Sequence, residues 1–201
     1  MQAALARNDR YLREFIEAMH ICPYARTCRE AGKLHREVLV DRELDALRVA
    51  ARIRDLDKQP DIEIGLLIFP QVSVTAQAFE RFIRDVRARY EIGRTEPIAY
   101  FVVAFHPELP QQLKNPDIAV RFMRRSPDPT IQLVRPSAIE RVRQGSRDPE
   151  ALSGHIAEAG LRAVMAAGPE RVAALLASLR VQPAAEAAPA VPTPAPRNLS
   201  P

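Results

Sequence analysis

The apolar residues of this chain recur every three or four positions over long stretches, which is the spacing of a helix with one buried face. The clearest stretch is residues 3–20, where Leu12, Phe15 and Ile16 belong to one apolar stripe. Asn115, a residue type that caps helix N-termini, precedes a shorter helix. The predicted helices cover residues 3–20, 23–31, 43–58, 75–91, 116–125, 136–144, 149–168 and 169–181.

Four short segments with apolar residues lie between these helices and predict strands at residues 35–41, 62–69, 98–105 and 130–134. The run at 62–69 indicates burial on both faces, and the run at 98–105 is the most hydrophobic. Alternating strands and helices are typical of crossover connections in a parallel sheet. We therefore predict an α/β fold, with a small, mainly parallel or mixed sheet of about four strands and helices packed on it in two or three layers.

The composition separates a folded region from a tail. Residues 1–182 predict one α/β domain, which ends in C-terminal helices at 149–181. Residues 183–201 consist largely of Pro and Ala, so we expect a disordered or polyproline-like tail. No run reaches the ~18 apolar residues of a membrane helix, and the N-terminus lacks the apolar core of a signal peptide. We therefore expect a cytoplasmic protein without membrane contact.

Charge and cysteine content exclude two further classes. The formal charge is +4 and Arg outnumbers Lys 26 to 3, but cations alternate with acids, as in Arg84-Asp85. Coding bias toward Arg accounts for this balance, and without a basic run we do not expect nucleic-acid binding. If residues 23–31 are helical, Cys22 and Cys28 lie roughly 9 Å apart along the axis, which is too far for a disulfide. Two reduced thiols are expected.

Candidate chemistry follows the third predicted strand. His106 comes directly after Phe105, and in open α/β sheets ligands bind beyond the carboxyl ends of strands. Pro70–Ser73, after the second strand, should lie at the same edge if the two strands are parallel. A His there can be a general acid or base or a metal ligand. The alternative is a His that caps the strand end through a backbone hydrogen bond. The long connection 106–129 favours the functional interpretation.

Several arginines lie in and after this connection, namely Arg121, Arg124, Arg125 and Arg135. A guanidinium group can bind a carboxylate or phosphate with two hydrogen bonds. In a helix over 116–125, Arg121 and Arg125 share a face. We expect an anion clamp for a small acidic metabolite. The alternative is a set of solvated arginines that pair with Asp117 and Asp128.

Cys22 is the third candidate, because it precedes Pro23. A Pro at the first helical position would make Cys22 the N-cap of the next helix. Free amides and the positive helix end would then lower the pKa of the thiol and favour thiolate. A thiolate can be a nucleophile, a redox centre or a soft metal ligand. The alternative is a small buried hydrophobe, and no Cys-x2-Cys spacing or glycine-rich phosphate loop accompanies it.

Three motifs occur in an order that resembles the bacterial "domain of unknown function 1415" family, and these are Cys22–Ala25, Phe105–Glu108 and Arg125–Pro129 with Leu133–Arg135. A later segment of that family is matched by Arg147–Glu150, and the resemblance covers residues 11–160. It implies a shared site built from Cys22, His106 and the Arg125-Ser126-Pro127 block. It implies no particular mechanism.

The chain departs from the family pattern at three places. The family tends to have Thr-Asn where this chain has Met123-Arg124, and His where it has Gln132. It also tends to have Arg-Asn-Ile where this chain has Gly154-His155-Ile156. These differences indicate a divergent member, to which the ligand or reaction of the family does not simply carry over.

Two functional hypotheses follow. In the first, the protein is an enzyme acting on a small anionic metabolite, with Cys22 as thiolate and His106 as acid, base or ligand. A redox or metal-assisted reaction suits such a pair, with a transition metal as cofactor. In the second, the protein is a non-catalytic anion-binding or accessory protein. Its last helices would then pack on another subunit through Leu175, Leu176 and Leu179. The predicted substrate-binding residues are Arg121, Arg125, Ser126 and Arg135, and the metal-ligand candidates are Cys22, His106 and His35.

Overall fold

The computed structural model describes residues 1–144, 150 and 152–181 of the chain. Its strands are β1 (Leu34–Val38), β2 (Ile64–Ile68), β3 (Phe101–Phe105) and β4 (Thr130–Val134). Its α-helices are α1 (Gln2–Arg10), α2 (Ala25–Glu30), α3 (Ala46–Asp57), α4 (Ala76–Glu91), α5 (Pro116–Met123), α6 (Pro136–Gln144), α7 (Leu152–Ala167) and α8 (Pro169–Ser178), and a π-helix covers Tyr11–Glu17.

The strands form one mixed sheet in the order β1-β2-β4-β3. β1 and β2 are parallel, whereas β4 is antiparallel to both of its neighbours. β1, β2 and β3 therefore run in one direction, and β4 lies between β2 and β3 in the opposite one. The α/β class and the four strands are confirmed. The expectation of a mainly parallel sheet is wrong, and the mixed alternative is the one that occurs.

The position of β3 in the sheet does not follow from its hydrophobicity. β3 is an edge strand and its Phe101 is 44% exposed, although its sequence is the most hydrophobic of the four. β2, in contrast, is buried along its whole length, as predicted. The difference arises because β4 takes the central position beside β2, which leaves one side of β3 unpaired.

Helices cover both faces of the sheet, so the fold has three layers. On one face, α3 and α4 pack over a core that includes Leu67, Ile131 and Leu133. On the other face, the N-terminal segment, α5 and the last helices pack over a second core that includes Ile64 and Leu66. Burial on both faces explains the near-continuous apolar sequence of β2.

The helix starts are set by short polar side chains. Asn115 Oδ1 accepts a 2.9 Å hydrogen bond from the amide of Ile118, which confirms its predicted role as N-cap of α5. Asp45 and Thr75 cap α3 and α4 in the same way, through the amides of Leu47 at 2.9 Å and of Ala78 at 3.2 Å. These caps fix where the crossover helices begin.

The N-terminal helix has a discontinuity that the apolar spacing does not reveal. Instead of one helix over 3–20, the chain forms α1 and then the π-helix Tyr11–Glu17. The segment ends at His20, whose φ of 52° lies in the left-handed region. The next helix, α2, has Tyr24 as its N-cap, so the prediction that Cys22 is the N-cap is wrong.

The C-terminal helices belong to the same core. Leu176 and Leu179 are buried, and Leu175 packs against the same cluster. Leu176 and Leu179 are therefore not available to another subunit, whereas contact of these helices with a partner through Leu175 stays a prediction. The tail 183–201, the start of the helix predicted from residue 149 and most of the Arg147–Glu150 motif lie outside the described residues. Within the described part of the chain, no helix has both the length and the apolar character needed to cross a bilayer.

Candidate functional site

A cavity of about 270 Å³ lies between one face of the sheet and the N-terminal helical segment. The sheet contributes residues of all four strands, and α5 and α7 close other sides. Its apolar walls include Leu12, Ile16, Leu66, Phe105, Val120 and Met123. The sequence placed the site beyond the carboxyl ends of the strands, whereas the cavity lies on a face of the sheet.

Arg124 is the charged residue of the cavity wall. It follows α5 as the C-cap residue. In the described residues its guanidinium group has no carboxylate within salt-bridge distance and donates no side-chain hydrogen bond. Burial lowers its pKa, while the nearby Tyr11 and Tyr24 act in the opposite direction. An uncompensated cation in a half-buried position is costly, so this position suits an anionic ligand.

Asn8 also carries an unpartnered polar group. Its side chain is 3% exposed, and its Oδ1 atom is buried without a hydrogen-bond partner in the described part of the chain. Buried polar groups in proteins nearly always have such a partner. Asn8 therefore lines the cavity, but its Oδ1 atom is enclosed by protein and does not face the open space.

Cys22 also lines the cavity, but its chemistry differs from the prediction. Burial raises the pKa of the thiol to about 11, and the backbone amides of Tyr24 and Ala25 oppose this only in part. The thiol is thus protonated at neutral pH. The expectation of a low-pKa thiolate is wrong, because burial outweighs the amide donors.

The irregular turn after α5 is fixed to the N-terminal segment. The Tyr11 hydroxyl donates a 3.0 Å hydrogen bond to the carbonyl of Met123. Arg7 binds Asp128 with two hydrogen bonds, of 2.9 and 3.1 Å. Ser126, which lines the cavity, donates its hydroxyl to the carbonyl of Asp128 at 2.6 Å. The cavity wall that carries the guanidinium group is therefore held from both sides.

Both ring nitrogens of His106 are hydrogen-bonded to backbone atoms. Its Nε2 atom lies 3.0 Å from the carbonyl oxygen of Val74, and its Nδ1 atom accepts a 3.1 Å hydrogen bond from the amide of Glu108. Nε2 therefore carries the proton, and burial lowers the pKa, which favours the neutral ring. The ring packs on Phe79 at 5.7 Å. This arrangement corresponds to the strand-capping alternative.

The contact of His106 with Val74 shows that the segments after β2 and β3 meet at one edge, as predicted. His106 does not line the cavity, however, and no hydrogen bond joins it to Cys22. The structure thus does not bring the proposed catalytic pair together.

The other predicted clamp residues also have protein partners. Arg121 pairs with Glu80 at 2.6 Å, so it is a paired surface arginine, although its partner is not the expected Asp117. Arg125 lies beside Gln111, and with the Gln111 oxygen turned toward it, Arg125 Nη1 donates at 2.6 Å. Neither residue lines the cavity.

Arg135 lies at the far end of β4 from these arginines, roughly 17 Å away for a five-residue strand. Its guanidinium group donates to the carbonyls of Ile62 at 2.6 Å and Gln59 at 2.8 Å. It also lies over the ring of Tyr100, 4.4 Å from the centroid. Arg135 thus secures the chain after α3, and the single clamp predicted from Arg121, Arg125 and Arg135 does not form.

The metal-ligand candidates are separated. His35 lies in β1 with Nε2 3.8 Å from Glu37 Oε2. In the described ranges, no three His, Cys, Asp or Glu side chains converge to hold a metal ion. Cys22, His35 and His106 therefore do not form one ligand set.

Asn8 is a cavity residue that the sequence reasoning missed. It lies on the buried stripe of the N-terminal segment with Ala4, Tyr11 and Phe15, at intervals of four, three and four residues. A polar residue on an apolar stripe is a signal that could have identified it. Arg124 was included among the arginines but not among the predicted binding residues.

The chain was also compared with known proteins. A family model described as "Protein of unknown function (DUF1415)" matches residues 3–169. No curated protein and no solved structure matches the chain. The matched span includes the residues of α1, α5 and the sheet that surround the cavity.

Proposed function

The chain belongs to the DUF1415 family, and we propose that it binds a small organic anion in the cavity beside Arg124. The observation that carries this proposal is Arg124, which lines the cavity and has no carboxylate partner in the described residues. A carboxylate or phosphate could accept two parallel hydrogen bonds from it. The surrounding apolar wall lowers the local dielectric constant and strengthens that attraction.

The burial of Arg124 supports binding over a purely structural role. A surface arginine keeps its hydration, as the exposed Arg121 does beside Glu80. Arg124 instead gives up part of its hydration, and burial lowers its pKa. An anion in the cavity would recover this cost, because it would supply the missing counter-charge.

The titratable groups of the cavity favour binding without catalysis. Those that line it in the described chain are Tyr11, Cys22, Tyr24 and Arg124. Burial raises the pKa of both tyrosines and of the thiol, so all four groups hold their protons at neutral pH. A general base must be able to accept a proton at the working pH. The anion-binding hypothesis therefore suits these residues better than the Cys22/His106 enzyme.

The test is a thermal-shift and calorimetric screen of small monocarboxylates, dicarboxylates and phosphate monoesters. We expect at least one of these compounds to raise Tm, because a ligand at 100 times its Kd stabilises a protein by about 2.7 kcal/mol. Arg124→Gln should abolish the shift. Arg121→Gln is the matched control, since it removes a neighbouring guanidinium group that is exposed and paired.

Two outcomes of the screen would contradict the proposal. If no compound of the screen binds, or if Arg124→Gln binds as tightly as the unmodified protein, Arg124 does not hold an anion. Product analysis of the same mixtures tests the enzyme hypothesis, since turnover lost in Cys22→Ala would support it.

A further inference from the structure

We infer that the protein has a second anion site, for a phosphate group, in a cleft at the open edge of β3. The cleft measures about 240 Å³ and is lined by α4, by β3 and by the end of α5. Arg84 and Arg87 are among its α4 residues, and β3 contributes Val103 and Ala104. The inference does not rest on the proposed function, because the cleft is a separate space from the cavity, although Arg124 lines both.

The cleft carries an excess of positive charge. Among the described residues, four arginines line it against one carboxylate, that of Glu80. Glu80 is already paired with Arg121 at 2.6 Å. Arg84 and Arg87 have no carboxylate within salt-bridge distance in the described chain, and they share a face of α4 at a spacing of three residues. Two neighbouring guanidinium groups therefore lack a counter-charge, and a phosphate group supplies about 1.5 to 2 negative charges at neutral pH.

Arg87 is fixed at the edge of the strand. Its guanidinium group donates to the carbonyl of Val102, from Nε at 2.9 Å and also from Nη2. Its Nη1 atom has no hydrogen-bond partner in the part of the chain that the structure describes. A side chain that is already held in one position loses little conformational freedom when a ligand binds. Arg87 is thus preorganised to bind an oxyanion.

The backbone of β3 supplies a neutral donor beside this guanidinium group. In an edge strand, the backbone groups of alternate residues face the open side. Val102 does so here, since its carbonyl accepts from Arg87. His106 does so too, since its amide donates to the carbonyl of Arg124 at 3.1 Å. Ala104 lies between them, so its amide faces the same side, and it has no acceptor in the described residues.

This set of donors favours phosphate over two other occupants. A monocarboxylate would leave one of the two guanidinium groups without a counter-charge. A β-strand added to this edge would need the carbonyl of Val102 and the amide of His106, which are both already bonded. A phosphate group has three strong acceptor oxygens. It can therefore accept from both guanidinium groups and from the amide of Ala104.

The inference is tested by calorimetry on the full chain with inorganic phosphate and with phenyl phosphate, at an ionic strength held constant with sodium chloride. We expect binding, with the tighter probe identifying free phosphate or a monoester as the source of the group. Arg84→Gln and Arg87→Gln should each weaken binding roughly tenfold or more, because each variant loses a charge-assisted hydrogen bond. Arg81→Gln is the matched control, since Arg81 lies on the same helix and carries the same charge but does not line the cleft.

An NMR titration of the unmodified protein gives a second readout. The amide proton of Ala104 should move downfield and saturate with the Kd that calorimetry measures, because a hydrogen bond to an anion deshields it. The amide of Leu34, on the opposite edge of the sheet, should not move. An unmoved Ala104 amide at saturation would overturn the inference, and this readout decides the question even if a variant does not fold.

Two further results would also overturn it. These are the failure of both probes to bind, and an equal loss of binding in Arg81→Gln and Arg87→Gln, which would show only a general attraction to positive charge. The proposed function is judged separately. A Tm shift that is lost in Arg124→Gln and kept in Arg84→Gln belongs to the cavity, whereas the reverse pattern belongs to the cleft.

Discussion

The Tyr11 hydroxyl donates its hydrogen bond to the backbone carbonyl of Met123 across 112 positions of sequence. Tyr11 is the first residue of the π-helix, and Met123 is the last residue of α5, directly before Arg124. One bond therefore joins two elements that both line the cavity. A π-helix is rare in proteins and often occurs at functional sites, and here it supplies three cavity residues, Tyr11, Leu12 and Ile16.

Removing this hydroxyl should affect both stability and binding. We expect Tyr11→Phe to lower the free energy of unfolding by about 1–2 kcal/mol, because the carbonyl of Met123 loses its buried donor. The matched control is Tyr100→Phe, which removes a 2.7 Å hydrogen bond to the carbonyl of Ile62 far from the cavity. Urea unfolding should show a smaller loss for Tyr100→Phe, because Arg135 still donates to the carbonyl of Ile62. Only Tyr11→Phe should weaken ligand binding, and equal binding in both variants would refute the link to Arg124.

The thiol of Cys22 should make stability depend on alkaline pH. Its pKa is about 11 in the folded protein, against an ordinary value of 9.0 for a thiol in the unfolded chain. The unfolded chain loses this proton first, so stability is intact below about pH 9 and falls as pH rises through 11. We expect the contribution to fall by about 1 kcal/mol between pH 8 and pH 10.

Urea unfolding of the protein and of Cys22→Ser at both pH values measures this loss. The difference between the two proteins removes the contribution of Cys28, whose thiol pKa is also raised. Rapid alkylation of Cys22 by iodoacetamide in the folded protein at pH 7 would show instead that the thiol is ionised.

Glu63 should contribute stability that is lost in acid. Its carboxylate is 6% exposed and accepts hydrogen bonds from Lys33 at 2.7 Å, from Arg141 and from the Cys28 thiol at 3.3 Å. Burial raises its pKa, but Lys33, Cys28 and Arg141 together bring the pKa below the ordinary value. The contribution is therefore present above about pH 4.5 and lost as pH falls through the folded pKa.

We expect Glu63→Gln to lower the free energy of unfolding at pH 7 by about 2 kcal/mol, since both cations can partly return to water. The difference from the unmodified protein should shrink toward pH 3. Glu30→Gln is the control, because Glu30 is 61% exposed in its pair with Arg29 and should contribute at most about 0.5 kcal/mol. Equal effects of both variants would contradict a special role for Glu63.

Two glycines of α7 should respond oppositely to the same substitution. A Cβ atom at Gly160 would collide with the sulfur of Met123, whereas one at Gly154 would meet nothing within 4 Å. We expect Gly154→Ala to stabilise the protein by about 0.5–1 kcal/mol through helix propensity. Gly160→Ala should destabilise it by about 1–2 kcal/mol, because α7 must move away from α5. Thermal unfolding checks both, and a stabilised Gly160→Ala would show that Met123 can turn aside freely.

The predictions from sequence agree best with the structure where neighbouring residues alone determine the bounds of an element. The bounds of β4 are correct at both ends, since Pro129 and Pro136 flank a short apolar run. Local sequence does not predict that β3 lies at the edge of the sheet. An apolar run shows that a strand contacts a core, but the strand beside it is chosen by packing across the whole sheet.

The sequence predicts the site less well than it predicts the fold, for a related reason. Which arginine stays unpaired depends on acids from distant elements, such as Glu80 in α4, which pairs with Arg121. The spacing of arginines within one connection contains no such information. Two of the departures from the family pattern, Arg124 and Gln132, nevertheless both line the cavity. Residues of the matched motifs, such as Cys22, Tyr24 and Phe105, line the cavity as well, so matching and departing positions point to the same place.

The position of β4 between β2 and β3 has a consequence for the synthesis of the chain. On the ribosome, β2 and β3 emerge before the strand that will join them, and they have no pairing with each other in the finished sheet. Until residues 130–134 follow, on the order of seconds later, a nascent chain presents open strand edges, which are where chains aggregate. Chaperone demand should therefore be greatest during this interval, and fragments ending before Thr130 should precipitate rather than fold.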